Sequence, residues 1–160
     1  MDEQLQKTAL SILDHSDLEE LQKLLSPYLA EEDPFALYLS SRFSLAASNE
    51  SEEEFAKRSI FQLKQASEGG VAQASYQMGV NHLYGDDVPQ DYSAASKYFE
   101  RAITQGHSYT KFTFGFSLFY GTDQNPKDEE RGLALMCEAA HEGVEQAVQE
   151  LELINETKNV

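Results

Sequence analysis

One cysteine, Cys137, is all this chain has. An internal disulfide framework is therefore excluded, and a reducing, cytoplasmic setting is the expectation. No window approaches 18 uninterrupted apolar residues, so no transmembrane helix is expected. The opening MDEQLQKTALSILDHSDLEE has neither a positive n-region nor a long apolar run, which argues against a secretory signal. Basic residues are scarce: 12 Lys and Arg stand against 28 Asp and Glu, a net charge of −16. Without a basic stripe to displace phosphate counterions, nucleic acid is not an expected partner. An anionic membrane surface is disfavoured for the same reason. A cationic protein is allowed, and the field would steer its approach. Period-two alternation is missing too, so no sheet is expected.

What is present repeats. Gly79 recurs as Gly115, Gly85 as Gly121, Ala102 as Ala139 and Gly106 as Gly143, at spacings of 36, 36, 37 and 37 residues. Self-similarity at this period means stacked supersecondary units, each unable to bury its apolar face alone. The 160 residues, 41% of them hydrophobic, suffice for one domain with a real core.

Helix signals run the length of the chain. Leu5 to Leu13 makes a first helix, and Ser16 with Glu19 reads as a capping box opening a second. Asp33-Pro34 reads as N-cap and N1 of a helix to about Ala47. Ser51 with Glu54 is another capping box, for a helix ending near Gly69-Gly70. Then come 72–84, 91–105, 108–120, 128–141 and 144–156, punctuated by Gly85, Gly106, Gly121 and Gly143. Within each repeat, a helix A with small residues (Ala74, Gly79; Thr110, Gly115) precedes a helix B that opens with acids, which suit the positive end of its dipole.

Ala74, Met78-Gly79, Gly85, Val88, Asp91, Ala95, Tyr98, Ala102 and Gly106 fall in one continuous pattern, and Phe114-Gly115, Gly121, Asp128, Ala139-Ala140 and Gly143 repeat it. The pattern resembles the Sel-one-like repeat family, relatives of the tetratricopeptide repeats. Good resemblance covers about residues 66–145, with a fainter echo back to about residue 31. His82 and Leu118 stand where the family usually has Tyr, and Asp87 replaces the second loop glycine. The resemblance implies an all-α fold, a short α–α superhelix of helical hairpins used as a scaffold or adaptor without catalysis. Its parts are expected to be an N-terminal helical pair (1–30), a degenerate repeat (31–66), two repeats (67–143) and a C-terminal capping helix (144–160).

In superhelices of this type the A helices line the concave wall. In that register the partner-binding candidates are Phe35, Tyr38 and Arg42 (with Leu45), then Tyr76, Val80, Leu83 and Tyr84, then Tyr109, Phe112, Phe116, Phe119 and Tyr120. Stacked aromatic columns facing outward would form an exposed apolar patch, a usual mark of an interaction site. Alternatively the N-terminal helices or the tail after Leu153 cover this wall and make the rings core. The three A helices carry only Arg42 and Lys111 as charges, whereas Glu31, Glu32 and Asp33 lie near one end and Glu145, Glu150, Glu152 and Glu156 near the other. A near-neutral groove with acidic rims suits a basic partner, or one with an apolar anchor flanked by Lys or Arg.

Catalytic and metal chemistry lack residues. His15, His82, His107 and His141 are spread singly, with no His-x-x-x-His or Cys-x-x-Cys spacing. Cys137 has no local base to make a thiolate. Asp86-Asp87 and Asp128 to Glu130 lack an EF-hand pattern and read as solvated loop acid. No cofactor, no metal and no enzyme activity are expected. Small size, strong acidity and few repeats favour an immunity or antitoxin-type inhibitor that masks a basic toxin. A peptide-binding adaptor, an assembly chaperone or a scaffold subunit is the alternative.

Overall fold

Repeat glycines, caps and acid-first helices turn into nine helices and no strand among the described residues, which in this computed structural model are 1–44, 49–122 and 125–158. They are α1 (Glu3–Asp14), α2 (Leu18–Ala30), α3 (Pro34–Ser40), α4 (Glu52–Glu68), α5 (Ala72–Tyr84), α6 (Tyr92–Thr104), α7 (Ser108–Tyr120), α8 (Glu129–His141) and α9 (Glu145–Lys158). The chain divides into two compact units at Tyr98/Phe99, within α6.

Local chemistry sets the helix ends. Ser51 and Glu54 form the reciprocal capping box of α4, and the Asp33 carboxylate accepts from Phe35 N and Ala36 N at the start of α3. Gly85, Gly106, Gly121 and Gly143 all have positive φ. The cap of α2 differs from expectation: Asp17, not Ser16, accepts from Glu20 N at 3.0 Å. Ser16 is already used in ending α1, at φ 60° with its N–H on Leu13 O, while Asp17 N reaches Ile12 O. That is the left-handed termination that glycine usually supplies.

The expected helix from Pro34 to about Ala47 stops at Ser40; its last part, with Leu45, lies outside the described residues. The reason is an arginine from α4. Arg58 donates to Ser40 O at 3.0 Å and Phe43 O at 3.1 Å, carbonyls that a continuing helix would need for its own ladder. Arg58 also clamps Glu50 through Nε (2.7 Å) and Nη2 (2.8 Å) and donates to Gln62 Oε1 at 2.9 Å.

The first unit has two cores. Ala9, Leu21, Leu25, Ala36, Leu39 and Phe43 join α1, α2 and α3. Leu37, Leu63, Ala66, Ala74 and Met78 join α3, α4 and α5. In the second unit, Phe114, Leu118 and Leu135 pack with Phe99 and Ile103, and Phe119, Met136 and Ile154 pack with Phe112, Leu133 and Leu151. Here α7 and α8 meet backbone to backbone. A Cβ on Gly132 would lie 2.6 Å from Gly115 O and 2.5 Å from Phe119 N. One on Gly115 would lie 2.9 Å from Gly132 O. Only paired glycines allow this approach.

Candidate protein-binding surface

Helix α7 is apolar almost all round, so tertiary packing decides which face it hides. Thr110, Lys111, Phe114, Gly115, Leu118 and Phe119 are buried. Tyr109, Phe112, Phe116 and Tyr120 lie along the other side. Their rings form a chain, with centroids 6.2, 6.1 and 4.7 Å apart in sequence order. Tyr109 is 43% exposed, Phe116 39% and Tyr120 50%; Phe112 is half-buried and reaches the core shared with α9.

Of the five α7 residues expected on this face, Phe119 is the correction. It is only 9% exposed and packs on Met136 and Ile154, so it supports the stripe from beneath. Its ring meets that of Tyr120 edge-on, at 4.9 Å and 83°. Helix α9 also borders the stripe: Tyr120 Oη donates to Glu150 Oε1 at 2.5 Å. That hydrogen bond raises the tyrosine's pKa above its usual value. Glu150 was not legible as a neighbour, since it stands 30 residues away along the chain.

The candidates of the first unit are less open. Phe35 and Tyr38, with rings 5.9 Å apart, are half-buried against the core built with α1 and α2. The N-terminal helices thus cover much of α3, as the alternative reading of these rings allowed. Arg42 is exposed, with its guanidinium 5.7 Å from the Tyr38 ring centre. On α5, Tyr76, Val80 and Leu83 are half-buried and Tyr84 is exposed.

Of the two cations expected on the wall, Arg42 is exposed and Lys111 is buried. Lys111 is turned into the second unit, 2.5 Å from Glu142 and 3.1 Å from Glu138 of α8. The Glu142 hydrogen bond raises the Lys111 pKa, and the same bond lowers that of Glu142. His82 stacks on Tyr98 at 5.6 Å and 13°, and Leu118 is core; both fill places where the repeat pattern has Tyr. Asp87, in the place of a loop glycine, takes the left-handed φ of 59° that glycine would supply. Among the described residues no His, Cys, Asp and Glu side chains group to hold a metal, and no helix is long and apolar enough to cross a membrane.

The N-cap of α7 is a histidine. His107 Nδ1 accepts from Thr110 N at 3.2 Å and lies 2.6 Å from Thr110 Oγ1. Burial holds its pKa below the usual 6.5. A depressed folded pKa means stability that is present above the unfolded value and lost as pH falls through it. Protonation removes the acceptor and sets a cation against the positive end of the helix. The melting temperature is expected to decline below about pH 6.5. His107→Asn, which caps without titrating, is expected to flatten that decline in thermal melts across the same range; an unchanged profile would assign the decline elsewhere.

A Sel1 repeat model matches residues 72–107 and 115–144. Among solved structures, the chain is similar to a Sel1 repeat protein from Oxalobacter formigenes, at 26% identity and a TM-score of 0.73, over 91% of this chain and 43% of that one. It is also similar to a protective antigen present in uropathogenic Escherichia coli strains displaying an SLR fold, at 22% identity and a TM-score of 0.66, over 80% of this chain and 27% of that one. The chain spans less than half the length of either. No curated protein matches it. The resemblance read from the glycine spacing and the all-α expectation are both borne out. Residues 72–107 and 115–144 are Sel1 repeats, and the chain that carries them has the helical-solenoid fold of Sel1-repeat proteins, a fold used in general for protein–protein interaction.

Proposed function

We propose that this chain is a non-enzymatic protein-binding module that engages its partner through the aromatic stripe of α7. The observation that carries this reading is the ring chain Tyr109–Phe112–Phe116–Tyr120, left open on a helix whose opposite face is fully used in the core. Large rings supply contact area at low entropic cost and dominate interface energetics. The partner is a basic protein, because the net charge of −16 favours cationic approach. In its most concrete form the chain is a small cytoplasmic inhibitor of the immunity or antitoxin type that masks such a partner. A second reading, a scaffold or adaptor segment, is favoured by lengths alone, since the solved relatives are more than twice as long.

Salt tests the charge part. After the complex is isolated from the native host and the partner identified by mass, association and dissociation are measured from 50 to 500 mM salt. The association rate is expected to fall about tenfold or more, with dissociation little changed. A salt-independent association rate would remove the basic partner and the inhibitor form with it.

A further inference from the structure

We infer that the C-terminal end of the stripe, formed by Phe116, Tyr120 and Glu150, is a recognition site for an arginine side chain of the partner. This rests on the reading of the stripe as a protein-binding surface and names what that surface holds. Glu150 is half-buried on α9 and accepts the Tyr120 hydroxyl. The described ion pairs of the second unit go elsewhere: Lys111 to Glu138 and Glu142, Lys127 to Glu129, and Arg131 to Glu100. A carboxylate with one phenol donor keeps several lone pairs unused, and partial burial without a cation is unfavourable.

The same combination occurs twice more in this chain, each time with its arginine in place. Arg58 lies 5.2 Å from the Phe55 ring centre while its guanidinium clamps Glu50. Arg131 lies 5.9 Å from the Phe114 ring centre while Nη2 donates to both oxygens of Glu100, at 2.5 and 2.6 Å. At both places a ring and a carboxylate together hold the guanidinium group. At Phe116, Tyr120 and Glu150 the rings are exposed and the carboxylate half-buried, and among the described residues no arginine pairs with Glu150. Arginine fits better than lysine, because its planar fork stacks on a ring face and pairs with a carboxylate at once. Phe119, edge-on from the core, and the Glu150 hydrogen bond hold the Tyr120 ring ready.

The probes are three blocked pentapeptides, Leu-Ala-X-Ala-Leu with X as arginine, lysine or the neutral isostere citrulline. They are titrated into the full chain while the aromatic NMR signals are followed. The arginine peptide is expected to shift Phe116 and Tyr120 and to bind roughly tenfold more tightly than the citrulline peptide, as loss of one charge-assisted pair implies. Glu150→Gln, which keeps a side-chain acceptor for Tyr120, is expected to bring the two together. Phe116→Leu, which keeps an apolar surface but no ring, is expected to weaken the arginine peptide as well. Equal binding of arginine and citrulline, or an arginine affinity unmoved by Glu150→Gln, would overturn the inference; equal binding of lysine would overturn the choice of arginine. If these arms fail while Phe116→Ala still abolishes binding of the native partner, the stripe stands and only the arginine assignment falls.

Discussion

Gly132→Ala is expected to destabilise the second unit by about 3 kcal/mol, against the usual sense of a glycine-to-alanine change inside a helix. Alanine is the better helix former by about 1 kcal/mol, so an exposed site would gain. Gly132 is buried, and its added Cβ would stand 2.5 Å from Phe119 N, 2.6 Å from Gly115 O and 2.8 Å from Phe119 Cα. All three are backbone atoms of α7 and cannot rotate away. The helices must separate, and the packing of Leu135 and Met136 loosens with them; overpacking of this kind costs about 1–3 kcal/mol or occasionally more. At 2–4 °C per kcal/mol, the melting temperature should fall by about 6–12 °C. Gly115→Ala should cost less. Its Cβ meets Gly132 O and Leu135 Cβ at 2.9 Å, but Met136 Cγ at 3.2 Å belongs to a flexible side chain. Thermal melts of both variants check the order, and a Gly132→Ala protein as stable as the parent would contradict the α7/α8 approach.

Arg58→Ala is the second large effect, expected at about 2–3 kcal/mol near neutral pH. The guanidinium satisfies Ser40 O, Phe43 O, Gln62 Oε1 and both oxygens of Glu50, and hydrogen bonds to charged groups contribute about 1.5–3 kcal/mol where their loss leaves partners unsatisfied. Lysine restores the charge but not the fork, so Arg58→Lys should recover little. The acid side gives a second readout. The Arg58 hydrogen bond, followed by that from Ser44, lowers the Glu50 pKa from 4.5 to about 2. A depressed carboxylate pKa stabilises the fold above the unfolded value and ceases to do so as pH falls through the folded one. The difference between parent and Arg58→Ala, measured by denaturant unfolding, should therefore narrow between pH 4.5 and about 2. A gap that stays constant across that window would show that the Glu50 pair is not its source.

These two sites mark the boundary of what residues alone reveal. Helices α5 and α7 are legible to the residue, because a closing glycine and a polar or apolar turn bracket each one. The Ser51–Glu54 box is legible because it is local. Arg58 is not. Spacing offers it Glu54, one turn earlier, but Glu54 is taken by Ser51, so the arginine reaches Glu50, which a loop brings back. Phe116 and Phe119 are indistinguishable in a helix that is apolar on every side. Met136 and Ile154, from α8 and α9, decide that Phe119 goes in. Likewise nothing near Tyr120 in sequence announces Glu150. Most helix ends follow local rules, whereas the end of α3 and the choice of face depend on partners far along the chain.

The central claim is that exposed rings on α7 bind a protein partner, and affinity for the native partner tests it most directly. Phe116→Ala is compared with Phe61→Ala, an aromatic of α4 that is more exposed, at 62% against 39%, but stands outside the stripe. With both folds intact by far-UV spectra, Phe116→Ala should weaken binding by at least about 2 kcal/mol, roughly thirtyfold, through faster dissociation. Phe61→Ala should leave it within about twofold. An affinity unmoved by Phe116→Ala, or lost equally in Phe61→Ala, would contradict the assignment of the α7 stripe as the binding surface.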